Sequence, residues 1–546
     1  MFLDKTGHSP ASFIYTFAEL TDKGYFCVED WGKGYNIETD AFDIDYVNKL
    51  LNLNDLRELI ETNTRANTQM FYAQAFSLKV IPPNRIQGFI PRFRFKEWHG
   101  TYLITNDCGK MTKVDNELFM RMVHNNLLPD DKTLLRKSFF YIDSINWKSA
   151  CAELRKTWYK YRGGPNTFVL KFTNACNYNC VYCQAGSSNH NADQMCTLET
   201  GRNTVNLMAE SPNTVVVLEI QGGEPLLNWD VVRETVLYAE EVMQSVGKTL
   251  KVRMMTNLSL VTEEIMKFCI EHNIDVGSSV DGPKEVDDAN RPACNGCSSY
   301  DATTKGLELV KAMRGHIGYL TTVTRESLPH VEEIVSKSIA EQHNYNCRPL
   351  FKLGRAIDVF DEIGYTPEEF LDYFRKSVNV CINASLNGDS GAHELRTRVL
   401  ANKVLNNING DIELGTPCGA IQCMVSIDWN GDIMACEGSK MLREPYRSEF
   451  VTANVNTPGI HYADVFFNSK SLSIIRRAFN EDDSKCSRCV YAPYCGNCAV
   501  ERTENDSYTT FNCAINEGML DNLVQLLENE VTRPVIEHWA NDLSHC

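Results

Sequence analysis

The sequence predicts an α/β protein built around an open, partial (β/α)6 barrel, with a separate module before the barrel and a cysteine-rich region after it. Three observations carry this prediction. Short β-branched runs alternate with longer amphipathic stretches from Thr167 to Gly354, which is typical of βα units and a parallel sheet. Strand-like and then helical sequence precedes this part. Eight of the 21 cysteines lie between Cys418 and Cys513.

Length and composition restrict the class of protein. The chain has 546 residues, enough for three or four domains at about 150 residues each. Hydrophobic residues make up 43% and the formal net charge is −17, so we expect packed cores and no nucleic-acid partner. No uninterrupted apolar run reaches the roughly 18 residues of a membrane span, and the first residues lack the pattern of a secretory signal. A cytoplasmic protein without a membrane partner is therefore expected.

Residues 1–165 are predicted to form an N-terminal region that resembles peptide-recognition modules, with winged-helix-like sequence at about 92–160. Alternation in Arg92–Lys96 predicts a strand with one apolar face. Residues 102–114 predict a hairpin, and helical sequence follows from about Asn116. A purely structural N-terminal cap is an equal alternative. The charged side of the first strand either binds an acidic peptide or forms a solvated face.

The barrel is predicted at residues 166–356, with helices that include Val231–Val246 and Leu328–Ala340. Its six βα units are fewer than the eight of a closed barrel. The strands are predicted at 167–173, 215–221, 250–256, 275–280, 318–324 and 347–353.

Two further regions are expected after the barrel. A helical connector at 357–412 includes a helix at Glu368–Ala384, and a cysteine-rich domain at 413–546 ends in a helix at about Glu517–Trp539. The cysteine-rich part has few long apolar runs, so burial alone is a weak source of stability. We therefore expect metal sites to stabilise it.

Cys176, Cys180 and Cys183 directly follow the first predicted barrel strand, at x3 and x2 spacing. Three thiolates on one loop can bind three irons of a cubane cluster and leave the fourth iron without a protein ligand. A reactive cluster needs such an open position, as catalytic metal sites do. The alternative is a zinc knuckle with a distant fourth ligand.

Polar residues also follow the next three strands, as Gln221–Pro225, Met255–Asn257 and Ser278–Pro283. The carboxyl ends of parallel strands form the face on which barrel enzymes perform their chemistry. Gly222 and Gly223 let a bound group approach the backbone, and Glu224 can accept hydrogen bonds from an ammonium group. The alternative is that these are ordinary βα turns.

Residues 167–354 resemble the radical SAM superfamily in the C-x3-C-x2-C loop and the Gly-Gly-Glu-Pro strand end. The resemblance implies that the open iron binds S-adenosyl-L-methionine, that one electron splits this cofactor, and that the resulting 5′-deoxyadenosyl radical abstracts a hydrogen atom. Gly222, Gly223 and Glu224 would hold the methionyl amine. Asn257 and Ser279 would lie near the ribose or the carboxylate, for which Arg291 is a further candidate.

The eight later cysteines suffice for two four-iron clusters or for two zinc ribbons, and their spacing alone leaves both open. The region resembles a SPASM domain, which carries two auxiliary 4Fe–4S clusters. Cys495 and Cys498 stand one residue closer than that pattern requires, which puts their geometry in doubt. The resemblance implies one cluster on Cys418, Cys423, Cys436 and Cys498, and another on Cys486, Cys489, Cys495 and Cys513.

Glu437 directly follows Cys436. Sulfatase-type maturases carry a carboxylate at this place that takes a proton from the substrate, so the resemblance makes Glu437 a candidate catalytic base. A solvated loop glutamate is the alternative. Cys294 and Cys297 form a further C-x2-C pair that is redox-active, contacts the substrate or is a turn with two spare thiols.

The chain resembles maturases of the His-Xaa-Ser type in the stretch QGGEPLLNWD and in SSVDGP followed by Asn290-Arg291-Pro292. The resemblance implies oxidative cross-linking of a ribosomal precursor peptide through a C–C or thioether bond. It also implies three 4Fe–4S clusters and an external electron donor such as flavodoxin or ferredoxin. The leader of the peptide would add to a sheet edge at 102–114. The alternatives are a maturase that oxidises one residue of a larger enzyme, and a non-enzymatic iron–sulfur or zinc scaffold.

Overall fold

The computed structural model describes residues 88–159, 164–342, 344–408, 415–416, 418–466, 469–477, 480, 485–496, 498–504 and 508–542. The first 87 residues of the predicted N-terminal region therefore lie outside the described residues. The chain divides into two compact units. One comprises residues 1–160, 402–418 and 476–497, and the other comprises 161–401, 419–475 and 498–546.

An antiparallel three-stranded sheet of order β1-β2-β3 forms the base of the first unit, and three helices follow it. This order agrees with the predicted strand, hairpin and helices. The elements are β1 (Phe93–Trp98), β2 (Thr101–Asn106), β3 (Met111–Val114), α1 (Asn116–Val123), α2 (Pro129–Lys137) and α3 (Trp147–Tyr159).

The period-2 alternation of β1 sends its side chains to two different environments. Phe93 and Phe95 join a buried cluster with Ile104 of β2 and Phe119 of α1, and Asp115 begins α1 by accepting the backbone N–H of Leu118 at 2.7 Å. The charged side of β1 is not a solvated face, because Arg94 is only 2% exposed. The prediction of a solvated face is therefore wrong at this residue.

A nine-stranded sheet of order β10-β8-β7-β6-β5-β4-β12-β13-β14 forms the centre of the second unit. Its first six strands run parallel. A separate two-stranded sheet joins β9 to β11. The strands are β4 (Thr167–Lys171), β5 (Val215–Gln221), β6 (Thr249–Met255), β7 (Ile274–Ser279), β8 (Gly318–Thr322), β9 (Asn344–Tyr345), β10 (Cys347–Arg348), β11 (His393–Glu394), β12 (Met424–Ile427), β13 (Asp432–Met434) and β14 (Val451–Asn454).

Helices connect the parallel strands and continue beyond them. They are α4 (Leu198–Ala209), α5 (Trp229–Ser245), α6 (Glu263–Glu271), α7 (Lys284–Asn290), α8 (Ser299–Arg314), α9 (Val331–Gln342), α10 (Ala356–Ile363), α11 (Pro367–Leu386), α12 (Leu395–Asn406), α13 (Tyr446–Phe450), α14 (Tyr462–Phe466), α15 (Ser469–Arg477), α16 (Ala499–Glu504), α17 (Tyr508–Glu528) and α18 (Arg533–Asn541).

The six predicted parallel strands are present, but the last is only two residues long. The sheet also continues where no strand was predicted, because β12 pairs in parallel with β4 from Met424↔Thr167 to Ile427↔Leu170. This pairing satisfies backbone groups of β4 that would otherwise lie at an edge. The single C-terminal helix predicted at Glu517–Trp539 is instead divided between α17 and α18.

Among the helices of the described residues, none combines the length and the apolar character that crossing a bilayer requires.

The buried cluster of the first unit gives a test of its packing. Phe119 is fully buried and stacks on Tyr102 with ring centroids 3.7 Å apart. We expect Phe119→Ala to lower the local free energy of opening of α1 by about 3–5 kcal/mol, since a large buried ring leaves a cavity. Peptide-resolved hydrogen exchange of the full chain measures it. Met120→Ala, at a neighbouring residue that is 39% exposed, is the control, and equal effects of the two changes would contradict the packing.

Candidate active site

The cysteine loop after β4 is held in place by backbone hydrogen bonds to the segment that follows α7. Asn179 donates to the carbonyl of Pro292 at 2.8 Å, and Val181 donates to that of Asn290 at 2.9 Å. In the opposite direction, Cys294 donates its N–H to the carbonyl of Asn177 in the loop at 2.9 Å. One segment, from the last residue of α7 to Cys294, thus fixes the loop that carries the predicted cluster ligands.

The three thiols of this loop differ in their burial. Cys176 is buried, while Cys180 and Cys183 are half-buried. Burial raises the pKa of Cys180 to about 12, although the positive charge of Arg291 opposes this shift. At neutral pH this thiol is therefore protonated without a metal, and iron must displace the proton. The N–H of Tyr178 points at Sγ of Cys176 at 3.4 Å, a hydrogen bond of the kind that tunes iron–sulfur clusters.

Across the described ranges, no three His, Cys, Asp or Glu side chains are grouped so as to hold one metal ion. The chemistry of three cysteines with an N–H···S contact fits an iron–sulfur cluster.

The end of β5 lies directly against the cysteine loop. Gly223 donates its N–H to the carbonyl of Thr173 at 2.7 Å, and Glu224 donates to that of Ala175 at 2.9 Å. A Cβ atom at Gly223 would stand 2.1 Å from the carbonyl oxygen of Ala175, and one at Gly222 would stand 2.9 Å from that of Thr173. The two glycines are therefore required by the approach of two backbones.

Glu224 is fully buried and joins the ends of β5 and β6. Its Oε1 accepts the backbone N–H of Leu226 at 3.0 Å and the hydroxyl of Thr256 at 2.7 Å, while Oε2 accepts the N–H of Asn257 at 2.8 Å. Burial raises the pKa of the carboxyl and these three donors oppose the shift. A carboxylate has about four acceptor positions, so one position is left for a further donor, as the predicted ammonium contact requires.

Asn257 and Ser279 lie at the ends of their strands, as predicted. The side-chain amide of Asn257 donates to Oδ1 of Asn177 in the cysteine loop at 2.9 Å, and its oxygen accepts the hydroxyl of Ser259 at 2.6 Å. Asn257 thus also positions the cysteine loop. Ser279 is the half-buried last residue of β7.

Arg291 is buried beside the cysteine loop, with 7% of its surface exposed. Its Nη1 donates to the hydroxyl of Tyr182 at 3.2 Å, and that hydroxyl donates to Asp281. Nε of Arg291 lies 3.9 Å from Asp287 and makes no hydrogen bond within the described residues. This Nε lies beside a carboxylate of the chain itself, and the role of Arg291 toward the cofactor stays a prediction.

A row of polar side chains on β4 and β5 was not predicted. The amide of Gln221 donates to Glu219 at 2.6 Å and to Glu437 at 3.2 Å. Burial and the charge of Glu437 raise the pKa of Glu219. On β4, opposite Gln221, burial lowers the pKa of Lys171 to about 8 while Asp428 opposes this shift. Alternating polar residues in a strand that otherwise reads as buried are the signal that could have found them.

The other predicted cysteines divide evenly between the units. All eight are half-buried. Sγ of Cys489 accepts the N–H of Tyr491 at 3.4 Å, the same i, i+2 contact that Cys176 makes with Tyr178. The first unit holds Cys418, Cys486, Cys489 and Cys495, and the second holds Cys423, Cys436, Cys498 and Cys513. The C-x2-C pair of Cys294 and Cys297 is exposed.

The contact of β5 with the cysteine loop predicts that a methyl group at Gly223 displaces the loop. We expect the reduced Gly223→Ala protein to cleave S-adenosylmethionine at least about tenfold more slowly than the native protein. The rate is measured as the formation of 5′-deoxyadenosine. Gly315→Asn is the control, since nothing lies within 4 Å of the added Cβ and asparagine tolerates the left-handed backbone at this helix end. An unchanged rate in Gly223→Ala would contradict the role given to this contact.

The acceptor position left on Glu224 predicts the effect of Glu224→Gln. The change removes a charge-assisted hydrogen bond, of about 1.5–3 kcal/mol, and turns an amide N–H toward other donors. We expect the Kd for S-adenosylmethionine to rise about tenfold or more under anaerobic equilibrium dialysis. Glu264→Gln, in the first turn of α6 where the residue is exposed, should leave the Kd unchanged. Equal affinities in the two variants would remove Glu224 from the cofactor site.

Comparison with known proteins agrees with this geometry. The family model described as "Radical SAM superfamily" matches residues 170–337. An uncharacterized protein of Methanocaldococcus jannaschii is 34% identical over 177 residues, which are 32% of this chain and 59% of that protein. The chain thus spans less than two thirds of that relative.

Two relatives with named activities match over a longer stretch. The radical SAM cyclopropyl synthase TigE of Paramaledivibacter caminithermalis is 26% identical, covering 61% of this chain and 74% of its own. A cysteine-type anaerobic sulfatase-maturating enzyme of Clostridium perfringens is 21% identical, and the match covers 64% of this chain and 94% of that enzyme. Both are proteins to which this chain is similar.

The fold is also that of a solved structure, native anSMEcpe with bound AdoMet and the Cp18Cys peptide. The TM-score is 0.57 at 17% identity, and the match covers 68% of this chain and 99% of that one. The predicted parallel α/β architecture is thereby confirmed. The Radical SAM superfamily model thus matches the part of the chain that carries the cysteine loop and the parallel strands.

Proposed function

We propose that the protein modifies a ribosomally made precursor peptide by oxidative cross-linking, forming a C–C or thioether bond. The observation that carries this proposal is the hydrogen bond from Gln221 to Glu437. Gln221 immediately precedes Gly222, Gly223 and Glu224, so a carboxylate lies beside the strand end that is predicted to bind the cofactor. A substrate whose hydrogen atom is removed there can release a proton to Glu437.

The remaining site residues have roles in binding and orientation. Cys176, Cys180 and Cys183 would hold the cluster that binds S-adenosylmethionine. When bound, the cluster and the cofactor supply the abstraction of a hydrogen atom. Glu224 would hold the methionyl amine and Arg291 the carboxylate. Gly222, Gly223, Asn257 and Ser279 would complete the cofactor site.

The later cysteines would bind two auxiliary 4Fe–4S clusters in a SPASM domain. Such clusters can take up the electron that remains when the substrate has lost a hydrogen atom and a proton. The eight half-buried cysteines and the N–H···S contact at Cys489 support this part of the proposal. A flavodoxin or ferredoxin would supply the electron that starts each turnover.

The precursor peptide would bind through its leader to the N-terminal sheet, in the manner of winged-helix-like recognition modules. β3 is an edge strand of that sheet, and an extended peptide can add to such an edge through main-chain hydrogen bonds. The resemblance to maturases of the His-Xaa-Ser type supports a precursor peptide as the substrate. The relative TigE supports radical SAM chemistry of a related kind.

A second candidate function is the oxidation of one residue in a larger enzyme. The sulfatase-maturating relative, of which 94% is covered, favours it. The two candidates differ in the size of the substrate and in the number of bonds formed.

The experiment that separates them is an anaerobic affinity capture from the native cell extract, followed by intact mass spectrometry of the polypeptide that co-elutes. We expect a short peptide that becomes lighter by two hydrogens per cross-link when S-adenosylmethionine and a reductant are added. A large folded partner altered at a single residue would instead establish the second function.

The contact between Gln221 and Glu437 predicts the effect of Glu437→Gln. The amide cannot accept the proton, so product formation should fall at least about 100-fold while 5′-deoxyadenosine still forms, since general-base contributions are about 10²–10⁴-fold. Liquid chromatography of both products measures the two yields. Glu271→Gln, at an exposed residue of α6, is the control. Product formation at the native rate in Glu437→Gln would exclude Glu437 as the base.

A further inference from the structure

A second loop that carries cysteines, residues 485–496 of the first unit, is held in place by side chains from outside it. Its regular structure is limited to a short 3-10 turn at Cys486–Arg488. Turn hydrogen bonds within the loop use the carbonyls of Lys485, Cys486, Cys489 and Tyr491. Buried carbonyl groups need donors from elsewhere. Side-chain donors reach the carbonyls of Ser487, Val490, Ala492, Tyr494 and Cys495.

The N-terminal sheet supplies the donors at the start of the loop. Arg92 Nη2 and Arg94 Nε both donate to the carbonyl of Ser487, at 2.6 and 2.9 Å. The hydroxyl of Thr105 donates to the carbonyl of Val490 at 2.6 Å. Arg94 and Thr105 are directly opposed in the β1–β2 register, so they present their donors from one face of the sheet.

Two further contacts strengthen this face. Nη1 of Arg94 is paired with Asp107 at 2.6 Å, and both side chains are nearly inaccessible to solvent. The ammonium of Lys96 lies 5.4 Å from the ring centre of Tyr491 in the loop. Arg94 and Lys96 of β1 therefore both contact the loop.

Other segments of the same unit hold the end of the loop. Asn480 donates to the carbonyls of Ala492 and Cys495 at 2.7 and 3.1 Å. Thr416 donates to the carbonyl of Cys495 at 2.9 Å, and Lys403 donates to that of Tyr494. The loop is thereby fixed in the conformation in which the N–H of Tyr491 reaches Sγ of Cys489.

We propose that Arg92, Arg94 and Thr105 are positioning residues for an iron–sulfur cluster bound by Cys486, Cys489 and Cys495. The β1–β2 face would serve as the template on which the ligand loop is built, in addition to any part that the sheet has in peptide binding. Outer hydrogen bonds orient ligands and tune metal sites, and bonds to sulfur set the potentials of iron–sulfur clusters. This inference rests on the proposed function, since it requires that these cysteines bind a cluster.

The test uses the full chain carrying Cys176→Ala, Cys180→Ala and Cys183→Ala, so that only auxiliary clusters can form. In this background we expect about eight irons per chain, four for each cluster. Thr105→Val removes one donor while keeping the shape of the side chain. Thr112→Val is the matched control, because Thr112 opposes Ile104 on the other face of the sheet.

We expect Thr105→Val to change the electron paramagnetic resonance line shape of one reduced cluster, and Arg92→Met with Thr105→Val to lower the iron content toward about four per chain. Hydrogen exchange of the metal-free protein should rise at least about fivefold in residues 485–496 of the double variant. Thr112→Val should change none of these. If a background chain with native Thr105 binds no iron, the auxiliary cluster itself is disproved. The background chain could instead bind eight irons while neither Thr105→Val nor the double variant changes the spectra or the hydrogen exchange. That result would overturn the positioning role alone.

Discussion

The site of the second unit depends on the close approach of two backbones, the end of β5 and the cysteine loop after β4. The hydrogen bonds from Gly223 to Thr173 and from Glu224 to Ala175 fix this approach, and no side chain fits between them. Because Glu224 follows at once and is bonded to Thr256 and Asn257, the same contact also fixes the end of β6. Three strand ends are thus set relative to the three thiols.

Charge within this buried region is balanced by partners from different elements. Burial raises the pKa of Asp281, and that of Asp287 to about 6, while the guanidinium of Arg291 opposes both shifts. Tyr182, which lies between two of the cysteines, donates to Asp281 and accepts from Arg291. The network therefore connects the cysteine loop to the segments after β7 and α7. Arg291 therefore helps to hold the cysteine loop in place.

The sequence was sufficient for the parallel strands and for most of the candidate site, because β-branched runs and short motifs are local signals. It was insufficient for β12, since Met424–Ile427 is short and its pairing with β4 joins distant parts of the chain. Glu219 and Lys171 were missed because a single polar residue inside an apolar strand gives no sign of a site by itself. Only the pairing of the two strands shows that these residues lie near one another. The buried role of Arg94 depends on residues 485–496, which no local pattern connects to β1.

The proposed function requires that Cys176, Cys180 and Cys183 bind a four-iron cluster that cleaves S-adenosylmethionine. The direct measurement is iron content together with 5′-deoxyadenosine formation, in the anaerobically reconstituted protein and in the variant with all three cysteines replaced by alanine. We expect the variant to lose about four irons per chain and all detectable cleavage. A variant that keeps the full iron content of the native protein and still cleaves S-adenosylmethionine would show that these three cysteines do not bind the cluster.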